Sequence, residues 1–139
     1  MAVKPGWTGR RYADIEPGDI YPHALGHTIT TTDNVWFTLL TLNPNPIHSD
    51  VAYAARTEFG KPLVDSILTL ALVTGLSVAD VSQNAINLGW DDVRLPHPVF
   101  EGDTLYARSE VLSKRESRSR RTWASSPCAP PATTRTASP

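Results

Sequence analysis

The chain has 139 residues, of which 40% are hydrophobic, and it carries 13 Lys and Arg, 14 Asp and Glu and one Cys. This length suits one domain with its own core, and the nearly balanced charge predicts no general attraction to nucleic acid or to a membrane. One cysteine excludes an internal disulfide and a cysteine-based metal site. Because the first residues lack the apolar stretch of a secretory signal, we expect a cytoplasmic protein.

The first predicted elements are a strand and a helix that lead to a polar turn. β-Branched residues across 23–32 favour a strand that runs toward a helix cap at Thr32 or Asp33. The run 36–42 is predicted to be helical, and the two prolines of the following turn are expected to stop it.

The turn at residues 43–50 has the sequence Asn-Pro-Asn-Pro-Ile-His-Ser-Asp. Its prolines push Asn43 and Asn45 toward extended conformations, and the Ser or Asp at its end is predicted to cap a short helix over residues 51–56. His48 would then lie at or just before a helix N-terminus, where the positive end of the helix dipole favours the neutral imidazole of a general base. A surface histidine on a polar turn is the alternative.

Residues 67–81 form the most apolar segment of the chain, and a helix there would have almost no polar face. A helix that is apolar all round must be covered all round. We therefore predict one central helix wrapped by a sheet, with Ser66 as its N-cap and Asn84 as its C-terminal stop. The alternative is a core helix of an unrelated α+β fold. The segment is too short to span a bilayer, which takes about 20 residues.

Two later segments have strand character. Residues 104–113 predict a clear strand after a Glu-Gly-Asp turn, and residues 90–95 predict a weaker one. Pro96 and Pro98, which lie between them, favour a bend or an edge position. The other histidines are interpreted as structural or surface residues: His23, His27 and His97.

The composition changes after Lys114. Residues 115–139 contain no Leu, Ile, Val, Phe, Met or Tyr, but they hold nine Ser or Thr, four Pro and five Arg against one Glu. Their charge is therefore +4, against −5 for the rest of the chain. We divide the chain into an incomplete domain at 1–117 and an irregular tail at 118–139. A disordered basic tail and an anion-binding arm are alternative interpretations of the tail.

A frameshift explains this tail better than either alternative. Read one base earlier, the codons of residues 122–129 encode the pattern apolar-Gly-apolar-apolar-small-apolar, which is typical of a strand. The codons of residues 134–137 can then encode a hairpin turn. We expect a single-base shift near Arg120 and Arg121, with the loss of C-terminal strands and an impaired, poorly packed chain.

Several separated motifs occur in a fixed order along the chain. They are Asn-Pro-Ile-His at 45–48, Tyr-Ala-Ala at 53–55, Thr-Glu-Phe-Gly-Lys-Pro at 57–62, Asn-Leu-Gly-Trp-Asp-Asp-Val-Arg-Leu-Pro at 87–96 and Pro-Val-Phe-Glu-Gly-Asp-Thr-Leu at 98–105. Together they resemble the MaoC-like dehydratases, a family that includes the (R)-specific enoyl-CoA hydratases. The resemblance implies the α+β hot-dog fold, an antiparallel sheet wrapped around a long central helix. It also implies a homodimer that binds an acyl-CoA at its interface.

The resemblance further implies hydration or dehydration of an acyl-CoA thioester. In this family an Asp and a His activate the water that adds to an enoyl-CoA. His48 matches the histidine, but Asn43 occupies the Asp position, and an amide cannot take a proton. Asn at this position resembles the mesaconyl-CoA hydratase branch of the family. Asp50 and Asp65 are the nearest alternative acids.

The candidate site residues form two groups. The candidate catalytic residues are His48, Asn43 and Asn45. The candidate substrate-binding residues are Asp65 and Ser66, where most family members have His-Gly, and the cations Lys61 and Arg56, which would meet the CoA phosphates. We expect no metal or other cofactor, and no nucleic-acid or membrane partner.

Two rival functions stay open at this point. An acyl-CoA thioesterase of the hot-dog class would use a carboxylate to activate water against the thioester carbonyl, but the Asn-Pro-Ile-His turn favours a hydratase. A non-catalytic acyl-CoA-binding or structural subunit is favoured by Asn43 and by the missing strands.

Overall fold

The computed structural model describes residues 1–115 and, as backbone, residues 132–135. In chain order the elements are a 3-10 turn Tyr12–Asp14, β1 Ile20–Pro22, β2 His27–Thr28, α1 Thr31–Leu40, a 3-10 turn Pro46–His48, α2 Val51–Ala54, α3 Ser66–Ser77 with a π turn Val78–Ser82 directly after it, β3 Thr104–Glu110 and β4 Ala132–Arg135.

The four strands form one antiparallel sheet with β3 at its centre. β1 and β2 pair with successive parts of β3, as the partners Pro22–Arg108 and His27–Leu105 show, and β4 also pairs with β3. Of the strand predicted over residues 23–32, only His27–Thr28 forms a strand, and β1 lies before that range. Gly26 lies between β1 and β2, where an added Cβ would come within 2.6 Å of the Tyr106 ring, so a larger residue would force the ring aside.

The core lies between α3 and the inner face of β3. Burial alternates along β3, where Leu105, Ala107 and Ser109 point inward, as expected for a strand with one buried face. Their neighbours in the apolar core are Ile29, Val64, Leu68, Val73 and Val99. The predicted central helix and the clear C-terminal strand are both present.

The helix α3 differs from its prediction in two ways. Its N-cap is Asp65, whose side chain accepts from two backbone N–H groups of the first turn, and not Ser66, which is the first helical residue. The helix is also not covered all round, because Ile67 is 58% exposed and Val78, just after the helix, is 44% exposed. Apolar residues are therefore exposed near both ends of α3.

Two other sequence-based predictions also differ from the structure. The N-cap of α1 is Thr30, and Asp33 is its capping-box partner, so the predicted cap at Thr32 or Asp33 is two to three positions too late. Residues 90–95 form no strand in the described part of the chain.

In the tail that was predicted to be irregular from residue 118, residues 132–135 form β4 instead. The other tail residues lie outside the described ranges. Within the described ranges, no helix is long and apolar enough to cross a membrane.

Candidate active site

The polar turn after α1 is built by its own amide side chains. The helix ends in a Schellman arrangement, in which the N–H of Asn43 bonds to the carbonyl of Thr38 at 2.9 Å and Leu42 has a φ of +56°. Asn45 is exposed, and its Oδ1 accepts the N–H of Ile47 at 3.1 Å to cap the turn Pro46–His48. Asn45 was predicted to be a catalytic residue, and its side-chain oxygen is used to cap this turn.

His48 is a buried residue with one ring nitrogen committed to the backbone. Only 7% of the residue is exposed, which excludes the surface-histidine interpretation. Its Nδ1 lies 2.8 Å from the carbonyl oxygen of Leu63. A carbonyl can only accept, so Nδ1 carries the hydrogen and Nε2 keeps its lone pair in the neutral ring.

Asp65 faces that lone pair with one of its two carboxylate oxygens. Its Oδ1 caps α3 by accepting the N–H groups of Ile67 and Leu68 at 2.7 and 3.4 Å. Its Oδ2 accepts from Nδ2 of Asn43 at 2.7 Å and lies 4.0 Å from Nε2 of His48. Asp65 is 5% exposed. The helix cap thus aims the carboxylate, and Asn43 holds the oxygen that faces the imidazole.

The gap between Nε2 of His48 and Oδ2 of Asp65 suits a small polar molecule. At 4.0 Å it is too long for a direct hydrogen bond. A water placed between the two atoms can bond to both at ordinary distances. The imidazole can then take a proton from that water while the carboxylate accepts its second hydrogen.

In the described part of the chain, the other predicted site residues form no ion pair with His48 or Asp65. Asp50 caps α2 through the N–H of Tyr53 at 2.9 Å, but unlike Asp65 it is exposed. The two candidate phosphate-binding cations rest on aromatic rings, Lys61 at 4.4 Å from Phe100 and Arg56 at 5.8 Å from Tyr53. Ser66 is exposed at the start of α3.

Asn34 is a buried polar residue that the sequence analysis did not single out. It lies on α1, and its side chain bonds to the carbonyl of His48 at 2.8 Å and to the N–H of Asp65 at 3.0 Å. The signal that could have found it is the i, i+4 pair of Asn34 and Thr38, which are the two buried residues of α1. Polar residues at such positions are buried only with partners.

A second polar cluster lies at the other end of α3. His23 is buried, as a structural histidine should be, and bonds to Asp80 at 2.8 Å and to Ser109 at 2.9 Å. Asp80 also pairs with Arg10 at 3.0 Å. The hydrogen bond from His23, followed by that from Arg10, holds the pKa of Asp80 below its usual value, against the opposing effect of burial.

An open cavity of about 370 Å³ lies beside this second cluster. Trp7 and Leu25 line it with the two ionic residues of the cluster, Arg10 and Asp80. These two charges are paired with each other, so the cavity offers an apolar wall and no free charge from that pair. In the described ranges no group of three His, Cys, Asp or Glu side chains is placed to hold a metal ion.

Both the sequence and the structure of the chain are similar to those of known proteins. The family model described as "MaoC like domain" matches residues 14–126. A mesaconyl-CoA hydratase from Cereibacter sphaeroides is 32% identical over 109 residues, which are 78% of this chain and 32% of the relative. An (R)-specific enoyl-CoA hydratase from Aeromonas caviae is 36% identical over 83 residues, which are 59% of this chain and 61% of the relative.

The chain therefore spans about a third of the first relative and less than two thirds of the second. Among solved structures, an R-hydratase from Pseudomonas aeruginosa superposes with a TM-score of 0.66 at 32% sequence identity, over 75% of this chain and 66% of that one.

Proposed function

The chain belongs to the MaoC-like dehydratase family and has its α+β hot-dog fold, and from that premise we propose that it adds water to an α,β-unsaturated acyl-CoA thioester, or removes water in the reverse direction. One observation carries the proposal. Nε2 of His48 and Oδ2 of Asp65 face each other at 4.0 Å, with both residues buried. This separation supports the proposal that a base and an acceptor share one water.

His48 is the proposed base. The bond from Nδ1 to the Leu63 carbonyl leaves Nε2 free to take a proton from the water. The resulting hydroxide adds to the β-carbon of the enoyl thioester, and the imidazolium returns the proton to the α-carbon. Atoms and charge balance, because the two hydrogens and the oxygen of one water all end in the 3-hydroxyacyl product. A positioned base of this kind is worth about 10²–10⁴ in rate.

Asp65 is the proposed partner of His48, in the role that the resemblance assigned to position 43. The amide of Asn43 is not an acid or a base at ordinary pH, and its Nδ2 donates to the carboxylate at 2.7 Å. That bond holds Oδ2 toward His48, where it can accept a hydrogen from the water. The acid missing from the turn is thus supplied from the start of α3, and Asn43 is proposed to orient it.

The substrate is proposed to enter at the start of α3. Ser66 lies in the first turn of this helix, whose positive dipole end suits the negative charge that grows on the thioester oxygen. Lys61 and Arg56 are exposed and are proposed to meet the CoA phosphates. The exposed Ile67 and Val78 support a homodimer, because a second copy would remove this apolar surface from water.

The test is an assay with crotonyl-CoA and mesaconyl-CoA that follows the enoyl-thioester absorbance and free thiol together. Hydration removes the absorbance without releasing thiol, and this is the expected result. Release of thiol would identify a thioesterase instead. Binding of acyl-CoA without either change would identify a non-catalytic subunit, and His48→Ala serves as the matched inactive control.

A further inference from the structure

Asn34 joins three backbone segments of the candidate site through one side chain. The residue is fully buried on α1. Its Nδ2 donates to the carbonyl of His48 at 2.8 Å and to the carbonyl of Leu63 at 3.1 Å, and its Oδ1 accepts the N–H of Asp65 at 3.0 Å. Both hydrogens of the amide and its oxygen therefore have partners.

The Leu63 carbonyl is the link between Asn34 and the imidazole. It accepts from Nδ1 of His48 at 2.8 Å as well as from Asn34. The N–H of Val64, which shares a peptide group with that carbonyl, is also held, by the carbonyl of Val99 at 2.9 Å. A carbonyl whose peptide group is held on both sides is a rigid acceptor, and a rigid acceptor at Nδ1 selects the tautomer that leaves Nε2 unprotonated.

The Oδ1 of Asn34 acts on the other member of the pair. Its bond to the N–H of Asp65 holds the residue that caps α3 and aims Oδ2 at the imidazole. The side chain of Asn34 thus holds the backbone of both His48 and Asp65 in place. Only a group with two donors and one acceptor in this compact form satisfies all three bonds.

We propose that Asn34 is a positioning residue that sets the tautomer of His48 and the separation between His48 and Asp65. The proposal rests on the proposed function of this pair, and it adds a residue of α1 that does not belong to the turn or to α3. Asn34 reaches the reacting atoms only through the backbone of others. Its loss should therefore lower kcat and leave the KM for acyl-CoA nearly unchanged.

The experiment compares Asn34→Leu with Thr38→Val in the full chain. Leucine is of similar size but has no polar group. Thr38 is the matched control because it is buried one helical turn further along α1 and its side-chain hydroxyl donates to the carbonyl of Val35 at 2.8 Å, within the same helix. We expect Asn34→Leu to lose about 10²-fold in kcat, as a displaced base does, and Thr38→Val to keep wild-type kcat.

A second measurement separates positioning from a general loss of structure. Nitrogen-15 NMR of labelled histidine reports the tautomer of each ring, and the His48 signal is assigned by its absence in His48→Ala. The wild type should show the Nδ1–H form, and Asn34→Leu should show a mixture of both tautomers. If Asn34→Leu does not fold, Asn34→Ser is measured instead. Serine keeps one donor, so the fraction of His48 in the Nε2–H tautomer should rise by a smaller amount.

Unchanged kcat and an unchanged His48 tautomer in the folded Asn34 variant would overturn the proposal. Equal losses of kcat in Asn34→Leu and Thr38→Val, with the His48 tautomer retained, would also overturn it. The tautomer is read without substrate. If the wild type shows no hydration at all, the proposed function fails, while the NMR comparison still decides the role of Asn34.

Discussion

Nδ2 of Asn43 lies 2.7 Å from Oδ2 of Asp65, across 22 positions of sequence. The carboxamide in the polar turn and the carboxylate at the start of α3 thus form one unit, and this unit faces His48. Although position 43 is an amide, a carboxyl group from a neighbouring element therefore faces His48.

Replacing His48 removes the proposed base. His48→Ala should lower the hydration rate by about 10²–10⁴-fold, the usual worth of a positioned base. The absorbance assay with an enoyl-CoA measures the loss. His97→Ala is the control, since His97 is exposed outside the site. A full rate in the folded His48 variant would remove this residue from the mechanism.

An acid at position 43 should harm the site. In Asn43→Asp two carboxylates would meet where an amide now donates to Asp65 at 2.7 Å. The amide N–H that orients Oδ2 would be lost, and the two carboxylates would repel each other. We expect a lower hydration rate at neutral pH. A clear gain on crotonyl-CoA would contradict the assignment of the carboxylate to Asp65.

Exchanging the two side chains should recover part of the activity. Asp65→Asn alone keeps an oxygen for the cap of α3 but leaves two amides facing each other, so its hydration rate should fall. The double variant Asn43→Asp with Asp65→Asn restores one carboxylate and one amide donor. We expect its rate to exceed that of either single variant, measured in the same assay. Additive losses in the double variant would mean that the two residues act independently.

The second polar cluster predicts a pH dependence of stability. The native pKa of Asp80 is lowered, first by His23 and then by Arg10. A lowered native pKa stabilises the fold above the unfolded pKa, and that stabilisation is lost as pH falls through the native value. The temperature of thermal unfolding, measured from pH 7 down into the acid range, should fall because of this loss. In Asp80→Asn the unfolding temperature should depend less steeply on pH.

Asp92→Asn is the control for the Asp80 experiment. Asp92 pairs with Arg94 at 2.9 Å on the surface, with 72% of its side chain exposed, and such pairs contribute little. Its replacement should leave the pH profile of unfolding unchanged. If Asp80→Asn and the wild type lose stability in parallel as pH falls, the contact between His23 and Asp80 is not the source of the pH dependence.

The end of α1 contains strain that glycine should relieve. Leu42 has a φ of +56° and is 86% exposed, so its side chain contributes little packing while its Cβ costs about 1–2 kcal/mol in this conformation. Leu42→Gly should raise the free energy of unfolding by about 1 kcal/mol. Leu40→Gly, at an exposed helical position, should lower it by a similar amount. A destabilised Leu42→Gly would contradict the strain argument.

The local sequence determined the elements whose signals lie within a few residues. The apolar run at 67–81 predicted α3, alternation predicted β3, and the polar turn predicted that His48 would precede a short helix, which Asp50 caps. These features follow from backbone preferences and periodicity, which operate over one or two turns.

The family and the fold class could also be read from the sequence, because several motifs in a fixed order specify one chain path. What the pattern could not assign was the use of each polar side chain. Asn45 was predicted as catalytic but caps a turn, whereas Asp65 caps α3 with one oxygen and faces His48 with the other.

Only the tertiary structure shows which acid faces His48 and what holds it. Asn34, Leu63 and Asp65 meet His48 because α1, the turn and the start of α3 pack together, and the bonds between them span 14 to 31 positions of sequence. A hydrogen bond depends on distances of a few tenths of an ångström, and such distances between remote segments are set by packing and not by local sequence preference.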